Sequence, residues 1–192
     1  MNQLHSFILI GLGLTAGLAA GCASHPVKMT PAAYTAQALQ ATATNKVVSV
    51  PPEVIARFEA FNGDFSSNNI VAHTKEVYAA DVWFRDPFKE IYGEPEFEAY
   101  LLRGSSAVAQ YSMDWKDVAE HDGDFYFRWV MTLKLKRDGK NDPSTVNNGI
   151  SHVRFNAAGL VIFHEDYFDA ATFLYEKIPL LGSAIRFIKN RL

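Results

Sequence analysis

The 192 residues contain a single cysteine, Cys22, which excludes an intrachain disulfide and leaves stability to burial. Blocks of like charge are missing too. The 18 basic and 21 acidic residues are interspersed, so the chain lacks the electrostatic footprint of a protein that binds nucleic acid. Six histidines, at positions 5, 25, 73, 121, 152 and 164, show no paired ligand spacing of the H-x-x-x-H kind, and no metal is expected. A phosphate-binding loop and a dinucleotide fingerprint are both absent, so no cofactor is expected. Ser105-Ser106 lacks the Gly-x-Ser-x-Gly setting of a nucleophile elbow, and no nucleophile for covalent catalysis stands out. The apolar run from Phe7 to Gly21 stops short of the roughly 20 residues that span a bilayer.

That run does have the length and small-residue ending of a secretory signal peptide, so residues 1–21 read as a signal and the chain as exported. Leu18-Ala19-Ala20-Gly21-Cys22 resembles the bacterial lipobox, with Ala19 where the family prefers Leu and no Lys or Arg ahead of the apolar run. The resemblance implies cleavage before Cys22, acylation of that cysteine and, with Ala23 rather than Asp next in line, the periplasmic face of the outer membrane. Each buried methylene of an acyl chain contributes about 0.8 kcal/mol, so two or more chains would hold the protein on a membrane almost permanently. The alternatives are an ordinary cleaved signal with a chance cysteine, or a false start upstream of a cytosolic domain. Residues 22–51, with Ala-Thr-Ala-Thr at 41–44 and Pro51-Pro52 at the end, read as a flexible tether from Cys22 that has room for a short helix over Ala33–Ala41. Residues 52–192 then form one domain.

Within that domain helices come first and strands afterwards, which argues for α+β rather than an alternating parallel architecture. Pro52 suits a first helical turn, and Val54, Ile55, Phe58 and Phe61 share one apolar face up to Asn62-Gly63-Asp64. The pattern predicts a second helix over Asn69–Tyr78, a short strand over Val82–Arg85 stopped by Asp86-Pro87, and a third helix over Glu96–Gln110. Strands follow over Ser112–Glu120, Asp124–Arg137, Val146–Phe155 and Leu160–Tyr167. In the longest of them Phe125, Phe127, Trp129, Met131, Leu133 and Leu135 alternate with Tyr126, Arg128, Val130, Thr132, Lys134 and Lys136, the period of a half-buried antiparallel strand. The tail is helical again over Ala170–Ile178 and Ser183–Leu192, broken by Pro179 and Gly182.

Three helices, a strand ending in Asp-Pro and a closing meander resemble the nuclear transport factor 2-like superfamily, and in particular its SnoaL-like branch. The most specific pieces are Trp83-Phe84-Arg85-Asp86-Pro87-Phe88 with Gly93 behind it, and His164-Glu165-Asp166-Tyr167-Phe168-Asp169. The resemblance covers residues 52–178 and implies a cone: a strongly curved antiparallel sheet wrapped over the N-terminal helices, with an apolar pocket at one end. It also implies roles. Asp86 falls on the general base of the ketosteroid isomerase branch, and Asp166 lies where SnoaL-type cyclases carry a late acid/base aspartate, with His164 two residues away on the same face. The isomerase oxyanion donors are replaced by Phe58 and by Ser151, and losing such a donor costs on the order of 100- to 1,000-fold in rate. Steroid-type isomerisation is therefore disfavoured unless Tyr78, Tyr100 or Tyr126 supplies a donor from elsewhere.

Each site residue has a plainer reading. Asp86 before Pro87 is a turn signal, and His164 with Asp166 either points into the cone or pairs on its outer face while Phe163 and Tyr167 pack inside. His152 and Arg154 read as part of a polar outer row. Leu181, Ile185, Ile188 and Leu192 follow helical spacing beside Arg186, Lys189 and Arg191, as a helix packed on the domain or a basic amphipathic segment on anionic lipid. Three functions are open. The first is a lipid-anchored protein that holds a small apolar molecule among Trp83, Phe88, Tyr100, Trp115 and Trp129 without turnover. The second is an enzyme using Asp86 or the His164/Asp166 pair as acid/base on a carbonyl or epoxide. The third is an envelope scaffold that pairs as a homodimer through the outer sheet face.

Overall fold

The computed structural model describes Thr35, Ala36, Leu39 and residues 49–178 and 180–192. The expected signal, Cys22, most of the expected tether and Pro179 lie outside the described residues. Thr35 and Ala36 are helical and belong to an upstream unit distinct from the one spanning Ala38–Leu192.

Two helices open the main unit. Helix α1, Pro52–Gly63, starts with proline in its first turn, where the missing N–H costs nothing. It turns Val54, Phe58 and Phe61 inward at i, i+4 and i+7. Helix α2, Ser67–Val77, begins two residues earlier than its apolar pattern suggested, because the Ser66 hydroxyl accepts from the Asn69 amide and caps the end. Strand β1 follows directly, Tyr78–Arg85, longer than the apolar stretch that signalled it. A three-residue strand β2, Glu90–Tyr92, is too short to leave a periodic signal.

Helix α3, Glu94–Ala107, gives way at β-branched Val108 to the long strands β3, Val108–His121, and β4, Asp124–Leu135. Strands β5, Thr145–Phe155, and β6, Val161–Phe168, complete the sheet. The predicted helix at the tail is shorter than its pattern: α4 spans only Ala170–Phe173, a 3-10 turn covers Tyr175–Lys177, and α5 runs Leu181–Lys189. Among the described residues no helix is long and apolar enough to cross a membrane.

The six strands make one curved, unclosed sheet in the order β2-β1-β6-β5-β4-β3. The fold is α+β, as the sequence predicts. One pairing departs from the antiparallel expectation: β1 lies parallel to β6, with Trp83 opposite Phe163, Phe84 opposite His164 and Arg85 opposite Glu165. The inner face carries the core, where Phe58 and Phe61 pack against Phe125, Phe127, Val153 and Phe155. Alternation along β4 holds as read: Phe125, Phe127, Trp129, Met131 and Leu133 are buried, whereas Tyr126 and Arg128 face outward. The outer face is mixed, with Arg128 paired to Asp117 beside exposed Ile150 and Tyr167.

Part of that outer face is covered. Leu39 packs against Trp83 and Phe163. His152, read as an outer polar residue, is on the outer side but only 7% exposed. Its ring lies over Tyr126, and Nε2 meets Asp124, which also receives Arg154 Nε at 2.5 Å.

Candidate active site

A cavity of about 530 Å³ opens between the inner face of the sheet, α1 and α3, within the range that encloses a small organic ligand. Most of its wall is aromatic or aliphatic, and its polar groups converge from neighbouring strands.

Asp86 is held by the turn it makes. Its Oδ1 accepts from the Phe88 and Lys89 amides at 2.8 and 2.7 Å, and its own N–H donates to the Lys89 carbonyl. The Asx turn so formed reverses the chain into β2. That leaves Oδ2 for the cavity, where the Tyr100 hydroxyl donates to it at 2.5 Å. Asp86 thus makes the turn with one oxygen and meets the cavity with the other. Burial pushes the Asp86 carboxyl above its ordinary range against these hydrogen bonds, with the nearby Asp166 charge adding to the rise. Burial and the Asp86 charge push the Tyr100 phenol up in turn.

Asp166 sits on β6 beside this group. Its Oδ1 accepts from Ser151 Oγ at 2.5 Å and bonds His164 Nε2 at 2.9 Å. Ser151 receives the Trp129 indole N–H, and His164 Nδ1 lies 3.0 Å from the Tyr78 hydroxyl. An imidazole protonated on Nε2 donates to Asp166 and offers Nδ1 as an acceptor to the Tyr78 hydroxyl, which is shared with Asn62 Oδ1 at 3.3 Å. Tyr78 is fully enclosed, and burial holds its phenol well above the ordinary value, so it stays a donor. The chain Tyr78, His164, Asp166, Ser151, Trp129 thus fixes one carboxylate oxygen and turns the other to the cavity.

The two acids come together through the parallel register. Phe84 opposite His164 and Arg85 opposite Glu165 bring the end of β1, where Asp86 follows, to the stretch of β6 that carries Asp166. Inward-facing residues alternate along each strand, so Phe84, Asp86, His164 and Asp166 share the cavity side.

Of the ligand-binding residues expected from sequence, Phe88, Tyr100, Trp115 and Trp129 line the cavity. Trp83 does not. It is 2% exposed on the opposite sheet face, stacked on Phe163 with ring centroids 4.8 Å apart and donating to Glu90. Period-two geometry is the reason: with Asp86 and Phe84 inward, Trp83 must point out. The same rule places Phe163 outside and settles the His164/Asp166 alternative in favour of the cavity. Tyr126, a candidate donor, is likewise an outer-face residue, whereas Tyr78 and Tyr100 reach the site.

Gly149 went unread in the sequence. It pairs with Trp129 across β4 and β5, and a Cβ there would lie 2.2 Å from the indole. Glycine is what lets the Trp129 ring lie flat across β5 as a wall of the cavity. Only the cross-strand register discloses this. Among the described residues no three His, Cys, Asp or Glu side chains are grouped to hold a metal ion.

Comparison with known proteins agrees with this geometry. A SnoaL-like domain model matches residues 54–164. No curated protein matches the chain. Among solved structures, a provisionally assigned SnoaL-like polyketide cyclase from Shewanella denitrificans OS-217 superposes with a TM-score of 0.53 at 14% identity, covering 64% of this chain and 95% of its own. A Catenulispora acidiphila protein with a ketosteroid isomerase-like fold, in complex with trimethylamine, gives 0.53 at 12% identity and coverages of 65% and 92%. An M. tuberculosis LEH-like epoxide hydrolase gives 0.50 at 15% identity and coverages of 62% and 84%. At such identities the likeness establishes the fold, and the chemistry rests on the residues themselves.

Proposed function

The chain belongs to the SnoaL-like domain family, and from that premise we propose that it is an acid–base enzyme acting on a small, largely apolar molecule with a carbonyl or epoxide oxygen. The observation that carries this reading is that Asp86 and Asp166 both line one apolar cavity, close enough for the Asp166 charge to act on Asp86. Two carboxyl groups in unlike settings, one raised by burial and one held by Ser151 and His164, make a general acid and a general base.

In this scheme Asp166 Oδ2 removes a proton from a carbon next to the carbonyl. The C–H electron pair moves toward the carbonyl oxygen, and Asp86 supplies the proton that this oxygen takes up. In an unsaturated substrate Asp166 then returns its proton to the far carbon of the conjugated C=C while the enol oxygen gives its proton back to Asp86, which completes an isomerisation and leaves both acids as they began. With an epoxide, Asp166 takes a proton from water as the water oxygen bonds to a ring carbon, the C–O bond of that carbon breaks, and Asp86 gives its proton to the leaving oxygen. The proton on Asp166 then passes through solvent to Asp86. Tyr78 positions His164, and His164, itself part of the cavity wall, positions Asp166. The apolar wall excludes water and strengthens both interactions.

Deuterium uptake by 2-tetralone in D2O and ring opening of styrene oxide test the two branches by NMR. We expect the full-length protein to accelerate at least one, and Asp166→Asn and Asp86→Asn each to lower that rate by about 100- to 10,000-fold. Probes that bind, as shown by a thermal shift, with neither reaction accelerated would make the cavity a carrier and overturn the acid–base reading. We further propose that Cys22 carries lipid and holds the domain at the bacterial envelope, by the lipobox-like Leu18–Cys22 sequence. Cys22→Ala then moves the protein from the detergent-extracted membrane fraction to the soluble one.

A further inference from the structure

Helix α5 is mounted on the domain by its polar side. Gly182 packs so closely on the Glu176 carbonyl that a Cβ would come within 2.0 Å. Arg186 donates to that same carbonyl at 2.9 Å, and Lys189 bonds the Glu176 carboxylate at 2.6 Å. An amphipathic helix normally turns its apolar stripe to the core. Here Leu181, Phe187 and Ile188 are left open, 44%, 55% and 57% exposed, whereas Ile185 is half-buried and Leu192 lies beyond the end of the helix.

From Lys177 onward the sequence carries four cations, Lys177, Arg186, Lys189 and Arg191, and no Asp or Glu. Lys177 pairs with Asp138, and Lys189 with Glu176 and Asp169, which leaves Arg186 and Arg191 outside these ion pairs and beside the exposed apolar side chains. Arg191 lies 3.8 Å over the Phe187 ring, at the edge of the apolar face. We infer that α5 is an interfacial helix that lies on an anionic lipid surface, with its exposed apolar side chains among acyl chains and Arg186 and Arg191 at the headgroups. A second copy of the same patch would bring cations against cations, since a two-fold contact is self-complementary. The helix cannot instead turn these apolar side chains into the cavity without breaking the Gly182, Arg186 and Lys189 contacts. This inference goes beyond the acid–base reading and depends neither on it nor on acylation of Cys22.

The test reads α5 locally, because residues 7–21 of the full chain contribute their own membrane affinity. Backbone amide exchange of the full-length protein is followed by mass spectrometry with vesicles of phosphatidylethanolamine and phosphatidylglycerol, with phosphatidylcholine vesicles, and without lipid. The expected result is exchange at 181–192 slowed about tenfold by the anionic vesicles alone. Phe187→Ser with Ile188→Ser, both at exposed positions, abolishes that protection, and Arg191→Glu weakens it. Unchanged exchange at 181–192 while the chain is bound to anionic vesicles overturns the inference. Protection that grows with protein concentration in the absence of lipid also overturns it, and points to a second copy.

Discussion

At the scale of single residues the site is built from groups with two jobs. Asp86 makes a turn with one oxygen and faces the cavity with the other, so its removal separates the two. Its folded pKa is raised above the unfolded value by burial. The stability it contributes is therefore fully present below about pH 4, the unfolded value, and is lost as pH rises through the folded value. Asp86→Asn keeps an oxygen for the Phe88 and Lys89 amides and abolishes that loss. Thermal melts across pH should show the variant more stable than the parent at pH 7, with the gap closing toward pH 4. Gly149 gives a second residue-scale prediction. Gly149→Ala drives a methyl into the Trp129 indole, costs about 1–3 kcal/mol by overpacking, and displaces the indole from Ser151. Chemical denaturation measures the first effect, and loss of probe binding the second.

At the scale of elements, the boundaries that moved did so for local reasons that polar atoms decide. A hydroxyl cap set the start of α2, and the Asx turn at Asp86 produced β2 out of three residues. The tail illustrates the reverse case, where close backbone approach decides. Gly182 is the point at which α5 meets the Glu176 carbonyl, so Gly182→Ala should release α5 and leave the sheet untouched. Tryptic cleavage after Arg186 would accelerate, while the main unfolding transition keeps its midpoint. Intact α5 in that variant would mean that Arg186 and Lys189 suffice to hold it.

At the scale of the whole molecule, β4 and β5 are clamped on the outer face by Asp124, His152 and Arg154. Burial raises the Asp124 carboxyl, but hydrogen bonds from Arg154 and His152 outweigh it and hold the group below its ordinary range. A depressed carboxylate contributes stability above its unfolded value, about pH 3.9, and loses it as pH falls through the folded one. Asp124→Ala should thus cost about 1–3 kcal/mol at neutral pH, with the deficit shrinking in melts taken below pH 3. Much of the fold was legible in the sequence because it is written in local periods. Val54, Phe58 and Phe61 mark a helix face, and Phe125 to Leu135 a strand face, within a few residues of each other. Those periods show that one side of each strand is buried without saying which side holds the cavity, and both Phe163 and His164 proved to be buried. Trp83 was misplaced for that reason: its indole suits either face, and the choice belongs to the sheet. The sequence by itself determined the order of elements, the amphipathic faces and the identity of the acids. Only the tertiary structure decided that β1 pairs parallel with β6, because backbone ladder hydrogen bonds are alike at every register and only packing of the whole core selects one. That register brings the end of β1, where Asp86 follows, to the stretch of β6 that carries Asp166, eighty positions away along the chain.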